Sequence, residues 1–250
     1  MTMTLPLGLG AGQAAALGLA LFAAAFVRGY SGFGFSALVV AFSALLVNPV
    51  LLVPVVVLCE IAMSTSMLRG VAGDVDWRRF WPMLAGATLV MPVSVTAIAQ
   101  IGEERARIAI SLMILVMAVV LLTGWTLRRV IGRWGHAGVG MASGLANGAA
   151  VGGLPVAAFM AAQPIAARTF RATLTVYAAA VDIVALPIMW ANGMVTRDSL
   201  IVFVVALPLL AAGVMLGGKR FFAASPQNFR RMTILLLIVL SVLGLLKSVM

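Results

Sequence analysis

Two glycine-rich stretches interrupt long apolar runs of the sequence: Arg28-Gly29-Tyr30-Ser31-Gly32-Phe33-Gly34 and Asn147-Gly148-Ala149-Ala150-Val151-Gly152-Gly153-Leu154-Pro155. The first lies within the apolar region 11–47 and the second within the apolar region 137–162. Glycine breaks helices through its backbone freedom, and Pro155 lacks the N–H that would continue one. Both regions are therefore predicted to be broken helices whose flanking pieces are about half a membrane long.

The composition around these breaks is that of a polytopic membrane protein. Of the 250 residues, 63% are hydrophobic and 10% are charged, whereas soluble domains average about 25% charged residues. The net charge of +10 sits in short clusters between apolar runs, as in cytoplasmic loops, so we exclude nucleic acid as a partner. Backbone exposed to lipid must bond internally, so each apolar run is predicted to be a helix. The predicted membrane spans are 50–68, 80–101, 108–127, 172–191, 199–217 and 232–249.

The chain aligns with itself at an offset of about 120 residues, which indicates an internal repeat. The aligned pairs are Arg28 with Asn147, Gly29 with Gly148, Gly34 with Gly153, Glu60 with Asp182, Asp76 with Asp198 and Arg107 with Arg230. We interpret the chain, 1–250, as one transmembrane transporter domain with repeats at about 11–127 and 137–250 and a linker at 128–136. The alternative is chance similarity within a low-complexity apolar sequence.

Counting basic residues predicts how the repeats are oriented. If each broken element is a re-entrant hairpin, twelve basic residues lie on one side and four on the other, a clear positive-inside bias. Three spans per repeat is an odd number, so the second repeat is inverted. The predicted fold class is thus an all-α polytopic membrane protein of two inverted repeats in the inner membrane, with both termini outside. Alternatively, residues 11–47 form two short spans, or each break crosses the membrane and divides the charges evenly. The twelve are Arg69, Arg78, Arg79, Arg128, Arg129, Arg133, Arg168, Arg171, Lys219, Arg220, Arg230 and Arg231; the four are Arg105, Arg107, Arg197 and Lys247.

Arg28 is the most informative residue of the first break. A charge at the membrane centre costs about 2.5–3.5 kcal/mol on insertion scales, so it faces a partner or a ligand. A guanidinium beside bare glycine N–H groups and a helix that begins near Gly34 favours a small oxyanion. The alternative is an arginine that reaches the interface or pairs with Glu60 or Asp182 for packing alone. The predicted substrate-binding residues here are Arg28, Gly29, Tyr30, Ser31, Gly32 and Gly34.

The second break supplies neutral groups to the same predicted site. Asn147 aligns with Arg28, so one break carries a charge and the other an amide. Both breaks are expected to converge at the repeat interface near the middle of the membrane. Alternatively, their glycines only permit close helix packing. The predicted binding residues of this break are Asn147, Gly148, Gly152, Gly153 and Pro155.

Two aligned carboxylates, Glu60 and Asp182, lie well inside predicted spans. Intramembrane acids often carry protons, so both are candidates for proton coupling, with counter-ions of Arg28 as the alternative role. Tyr177 lies about 140° around the helix from Asp182 and is a weaker candidate for lining the same cavity. The single cysteine, Cys59, is expected in the core and the single histidine, His136, in a loop. We therefore predict no metal site and no cofactor.

The stretch from Gly144 to Pro155 resembles the second glycine motif of the TauE/SafE-type sulfite exporter family. The following run, from Gln163 through Phe170-Arg171-Ala172-Thr173 to Asp182, is also similar, and Gly29–Gly34 resembles a related N-terminal motif. The resemblance covers almost the whole chain, although Leu154 stands where the family commonly has proline. It implies export or uptake of sulfur oxyanions and small organic anions, such as sulfite, sulfonates or sulfoacetate.

Together these patterns predict a secondary-active transporter for small anions, with sulfite or an organosulfonate as the substrate that the resemblance implies. Its partners would be the lipid bilayer, the anion and protons; no oligomeric state is predicted. Alternating access would be the rocking of one repeat against the other. Alternatives are a passive anion channel, a carrier of small carboxylates and a non-transporting scaffold. An enzyme is disfavoured because the sequence has no paired nucleophile and base and no metal cluster.

Overall fold

Helices account for every regular element in the part of the chain that the computed structural model describes, residues 5–124, 126–127, 131–220 and 226–249. The prediction of an all-α polytopic membrane protein is confirmed. The helices are α1 (Ala11–Ser31), α2 (Phe35–Leu46), α3 (Pro49–Val71), α4 (Trp77–Gln100), α5 (Glu103–Thr123), α6 (Arg133–Asn147), α7 (Gly153–Ala161), α8 (Ala167–Ala191), α9 (Arg197–Arg220) and α10 (Pro226–Val249), with short 3-10 turns at Pro6–Gly8 and Ala72–Asp74.

Six helices of the described chain are long and apolar enough to cross a bilayer. Five of them, α3, α4, α5, α8 and α9, overlap predicted spans. The sixth is α1, which the sequence predicted to contain only a partial span. The predicted span 232–249 lies within α10, where several side chains are outside the described residues, as are residues 128–130 of the predicted linker. The side chains of several predicted inner-side cations, among them Arg69, Lys219 and Arg220, are also outside them.

The first interruption joins a long helix to a short one. α1 continues for 21 residues to Ser31, so it is longer than the half-membrane piece that the sequence predicted. The chain turns at Gly32 and Gly34, whose positive φ angles suit glycine, into α2, a helix of 12 residues. Gln13 Nε2 donates to Leu46 O at 3.1 Å, so α1 begins where α2 ends. At about 18 Å, α2 is shorter than a hydrocarbon layer about 30 Å thick, whereas α1, at about 31 Å, is long enough to cross it.

The second interruption joins two short helices. α6 has 15 residues and α7 has 9, which are lengths of about 22 and 14 Å. The tight turn between them contains Ala150, a non-glycine residue with φ of 57°. Leu127 N donates to Ala162 O at 2.7 Å, which holds the end of α7 beside the chain that leaves α5. This is the arrangement that the sequence predicted for residues 137–162.

Several helices begin before the hydrophobic segments that predicted them, because their first turns are polar. Asp76 caps α4 by accepting from Arg79 N at 3.1 Å, and Glu103 starts α5, where a carboxylate suits the positive end of the helix. The prediction that His136 lies in a loop is wrong. It lies in the first turn of α6, is 6% exposed, and its Nδ1 is 2.9 Å from Gly132 O.

The tightest helix packing joins the two predicted repeats to each other. α1 packs along α9, while α6, the counterpart of α1, packs along α4, the counterpart of α9. Glycine lets these backbones touch: a Cβ on Gly217 would overlap Phe26 O of α1, and a Cβ on Gly144 would overlap Ala87 O of α4. Small residues have this role in membrane helix pairs. Each predicted repeat therefore packs its first helix against the other repeat.

Replacing Gly144 by alanine is expected to lower the melting temperature of the detergent-solubilised protein. The added methyl group meets a backbone oxygen of α4, which moves only if the helices separate, and such overpacking costs about 1–3 kcal/mol. Gly138→Ala is the matched control, because a Cβ there meets no atom within 4 Å and alanine favours a helix. The melting temperatures are measured by tryptophan fluorescence. Equal values for the two variants would contradict the proposed role of Gly144.

Candidate functional site

Arg28 lies in the last turn of α1 with its guanidinium buried; the residue is 2% exposed. Its Nη1 lies 3.1 and 3.2 Å from the two carboxylate oxygens of Glu60 in α3. Its Nη2 donates to Ser64 Oγ at 2.7 Å, one helical turn further along α3. An unpaired charge buried here would cost several kcal/mol. The structure thus pairs Arg28 with Glu60, one of the two acids that the sequence offered as its counter-ion.

The carboxylate of Glu60 also lies at the N-terminus of α2. Its Oε1 accepts from Ser36 N at 3.3 Å, in the first turn, where N–H groups have no partner within the helix. Gly34, with φ of 94°, makes the sharp turn that brings this helix end to α3. The guanidinium of Arg28 and the positive end of α2 therefore act on one carboxylate. The anion held by these two positive groups is a side chain of the protein itself.

Asn147 and Asp182 form the corresponding pair in the second half of the chain. Asn147 ends α6, is 1% exposed, and its Nδ2 donates to Asp182 Oδ1 of α8 at 3.2 Å. Its Oδ1 accepts from Gly152 N at 3.3 Å and so holds the turn before α7. In each half of the chain, a residue in the last turn of the first helix, α1 or α6, is thus bonded to an acid within the third helix, α3 or α8.

Helices α3 and α8 pack together and link the two pairs. Asp182 lies within electrostatic range of both Glu60 and Arg28. One guanidinium, two carboxylates and one amide thus form a single buried group in the protein interior. We call Arg28, Glu60, Asn147 and Asp182 the central cluster.

The glycines of the two breaks differ in what surrounds them. A Cβ on Gly29 would overlap Val214 O of α9, and a Cβ on Gly148 would overlap Ser94 Oγ of α4. The amide N–H of Gly148 is already used, since it donates to Ser94 Oγ at 3.1 Å. At Gly153, by contrast, an added Cβ would meet no atom within 4 Å. Close packing therefore explains Gly29 and Gly148, while Gly153 borders open space at the start of α7.

Three other predicted binding residues have different surroundings. Tyr30 is buried in α1, 2% exposed, on the side where α9 packs. Pro155 is buried in the first turn of α7, a position where its missing N–H leaves no helical bond unmade. The side chain of Ser31 lies outside the described residues. These positions shape the two helix ends near the central cluster.

The described hydrogen bond of the Tyr177 side chain goes to Ser143 of α6, which in turn holds the turn between α6 and α7. Its hydroxyl donates to Ser143 Oγ at 2.8 Å, and Ser143 Oγ donates to Gly152 O at 2.7 Å. Since Gly152 N is held by Asn147, both backbone polar groups of Gly152 are bonded. Tyr177 therefore positions the turn that carries Asn147.

The structure adds residues that the sequence did not assign to the site. Ser64 and Ser143 lie four residues from Glu60 and Asn147 respectively, so helical spacing was the available signal. Arg171 of α8 was predicted only as an inner-side cation. Its Nη2 donates to Gly29 O at 2.9 Å, and it lies within electrostatic range of Arg28.

Arg171 and its neighbour hold α8 against the first interruption. A Cβ on Gly32 would lie 2.7 Å from Arg171 Cγ, so the stem of the arginine packs directly on this glycine. Next to it, the rings of Phe33 and Phe170 meet edge to face with centroids 6.3 Å apart. The end of α1 thus depends on contacts with the start of α8, from the other half of the chain.

The remaining metal-ligating residue types are dispersed. Among the described residues, no three His, Cys, Asp or Glu side chains come together as metal ligands. Cys59 is buried in the core of α3, as predicted. The chemistry that the described site offers is therefore that of charge pairing and hydrogen bonding.

Comparison with known proteins gives one match. A family model described as sulfite exporter TauE/SafE matches residues 17–243. No curated protein matches the chain, and no solved structure does. The matched range includes every member of the central cluster and Arg171.

Proposed function

The chain belongs to the TauE/SafE sulfite exporter family, a family of membrane transporters, and we propose that it carries sulfite or an organosulfonate through the central cluster. The observation that carries this proposal is a buried guanidinium that shares one anion with a helix N-terminus. The planar N–H donors of Arg28 complement oxyanions, and the end of α2 adds partial positive charge. Sulfite and sulfonates present three oxygens around sulfur, which suits donors that converge from two directions.

Glu60 holds the position that a substrate anion requires, so the two compete for Arg28 and for Ser36 N. Protonation of Glu60 removes the competing charge and frees these donors, and one proton is then taken up with each anion. Asp182 is the second candidate for coupling, because it lies in the corresponding position and within electrostatic range of Glu60. Tyr177 contributes through the turn that it holds.

The predicted sidedness is supported by which segments meet at each end of the bundle. Segments predicted outside meet through Leu7 N, which donates to Asp198 at 2.8 Å, and through Lys247, which bonds to Leu45 O. Segments predicted inside meet through Arg168 and Asp74, at 3.6 Å. These contacts are consistent with inverted repeats, and the positive-inside rule would place the basic end in the cytoplasm.

The glycine contacts between the two repeats favour moving units for alternating access that differ from the repeats themselves. The pairs α1–α9 and α4–α6 are in backbone contact at their glycines, so neither pair separates without disrupting its packing. We therefore assign the moving units as these two mixed pairs, which correspond to each other at the repeat offset. Rocking of one pair relative to the other, around α3 and α8, exposes the central cluster to each side in turn.

Purified protein in liposomes is expected to show saturable sulfite flux that a pH gradient drives. Sulfite and methanesulfonate should also raise its melting temperature, because a ligand that binds only the folded state stabilises by about 2.7 kcal/mol at 100 times its Kd. Acetate at the same concentration is the comparison ligand. A shift with acetate alone would indicate a carboxylate carrier, and non-saturating flux that ignores the pH gradient would indicate a channel.

A further inference from the structure

Arg28 Nε, in the central cluster, and Thr175 Oγ1 are buried polar atoms that have no hydrogen-bond partner among the described residues. Thr175 lies in α8 and is 0% exposed. Buried polar groups are nearly always bonded, because an unmade hydrogen bond carries the full desolvation penalty. One N–H of a guanidinium and one hydroxyl are thus left without a described acceptor, and a ligand with acceptor oxygens would suit both.

The spacing along α8 directs Thr175 toward Arg28. Arg171, Thr175 and Asp182 are separated by four and seven residues, so they share one face of the helix. Arg28 lies within electrostatic range of both Arg171 and Asp182. Thr175 lies between those two on the same face, which places it on the side of α8 that faces Arg28.

The register of α3 against α8 gives the same position. Asp74, in the turn that follows α3, pairs with Arg168 at the start of α8. Glu60, earlier in α3, lies within electrostatic range of Asp182, later in α8. The two helices therefore run in opposite directions. In this register, Thr175 lies about one turn from the level of Ser64, the residue that accepts from Arg28 Nη2. It is displaced toward the basic end of the bundle.

We propose that Thr175 contacts the substrate in an inner anion subsite between Arg28 Nε and Arg171. The proposal rests on the anion transport proposed above and adds a second position on the substrate path. Glu60 holds Nη1 of Arg28 and Ser64 accepts from Nη2, so Nε is the N–H of this guanidinium that has no described partner and that an anion can take. Two guanidinium groups attract it, and the Thr175 hydroxyl donates to one of its oxygens without adding a competing charge.

Thr175→Val tests this subsite, because valine has nearly the same shape and lacks the hydroxyl. Methanesulfonate binding, measured by calorimetry on the purified full chain, is expected to weaken about tenfold, as for a lost hydrogen bond to a charged group. Thr175→Ser keeps the hydroxyl and should bind within about threefold of wild type. The ligand-free melting temperature of Thr175→Val should be unchanged or higher, since an unbonded buried hydroxyl is removed.

Ser241→Ala is the matched control, since Ser241 Oγ of α10 is another buried hydroxyl without a described partner. It should leave methanesulfonate binding unchanged. If Thr175→Val fails to fold, Thr175→Ala is expected to show the same tenfold loss. Wild-type affinity in a folded Thr175→Val or Thr175→Ala protein would overturn the subsite and leave the proposed function intact. Absence of binding by the wild type itself would instead overturn the proposed function and, with it, the subsite.

Discussion

Liposomes that contain the Arg28→Ala variant are expected to show sulfite flux at least about 100-fold below that of wild type. Arg28 is the cation that the central cluster offers to an anion, and each hydrogen bond to a charged group contributes about 1.5–3 kcal/mol. Loss of two such bonds therefore lowers binding by two orders of magnitude or more. The flux of Arg28→Lys should lie between those of wild type and Arg28→Ala, because lysine keeps the charge but cannot donate two parallel hydrogen bonds.

Truncation of Arg28 alone also removes the partner of Glu60, which leaves a buried carboxylate and costs about 3–5 kcal/mol. The double variant Arg28→Gln with Glu60→Gln separates transport from folding, because it removes both charges and keeps two side chains that bond to each other. We expect this protein to melt near the wild-type temperature and to transport no sulfite. Sulfite flux at the wild-type level in the folded double variant would remove Arg28 from the mechanism.

The ion pair between Arg107 and Glu103 provides the matched control. It joins two residues one turn apart at the start of α5, with a separation of 2.6 Å and the glutamate side chain 49% exposed. The arginine side chain is 12% exposed, but its partner lies in solvent, and ion pairs at the protein surface contribute about 0–1 kcal/mol. Changing both residues to glutamine should therefore leave flux and melting temperature close to wild type. A loss of flux here equal to that at Arg28 would mean that any removed charge pair impairs the protein.

The helical fold was predictable because lipid leaves a long apolar run few alternatives to a helix. The helix boundaries were harder to predict. A hydrophobic segment ends where polar residues begin, whereas the helix continues through those polar residues. α8 illustrates this: its apolar segment was predicted from 172, but the helix starts at Ala167. Arg171, counted as a marker of the inner side, is therefore part of the helix and bonded to Gly29 O.

The charged members of the site could be predicted, because a charge inside a membrane span is costly. Its small polar residues, such as the serines, could not. Arg28, Glu60 and Asp182 stand out in an apolar sequence, and the internal alignment supplied Asn147. The sequence did not distinguish which glycine leaves its helix. Gly29 stays in α1 because α9 packs against it, whereas Gly32 ends the helix with φ of 81°. That difference depends on a neighbour from the other half of the chain.

The Glu60→Gln variant is expected to bind methanesulfonate more tightly than wild type does. In wild type, the Glu60 carboxylate occupies Arg28 and Ser36 N, so an arriving anion has to displace a charged competitor. Glutamine carries no charge and therefore competes less for these donors. A sulfonate is the appropriate probe because it keeps a single charge, whereas sulfite itself titrates. Binding by Glu60→Gln that is no tighter than binding by wild type would contradict competition by Glu60.

Other charged groups near Glu60 allow the coupling residue to be identified. Arg28 of α1 is bonded to it, and Asp182 of α8 lies within electrostatic range. If Glu60 is the coupling residue, calorimetry in buffers of different ionisation heat should show proton uptake with methanesulfonate in wild type and in Asp182→Asn, but not in Glu60→Gln. The opposite result, uptake retained by Glu60→Gln and lost in Asp182→Asn, would assign the proton to Asp182.

Removal of the Glu60 charge also leaves Arg28 buried without an anion, which destabilises the ligand-free protein by about 3–5 kcal/mol. A bound sulfonate supplies that anion, so its effect on the melting temperature should be larger in Glu60→Gln than in wild type. A residue that served only to hold α1 against α3 would lower stability without this ligand-dependent recovery. The gain in ligand-induced stabilisation therefore distinguishes an internal competitor from a purely structural counter-ion.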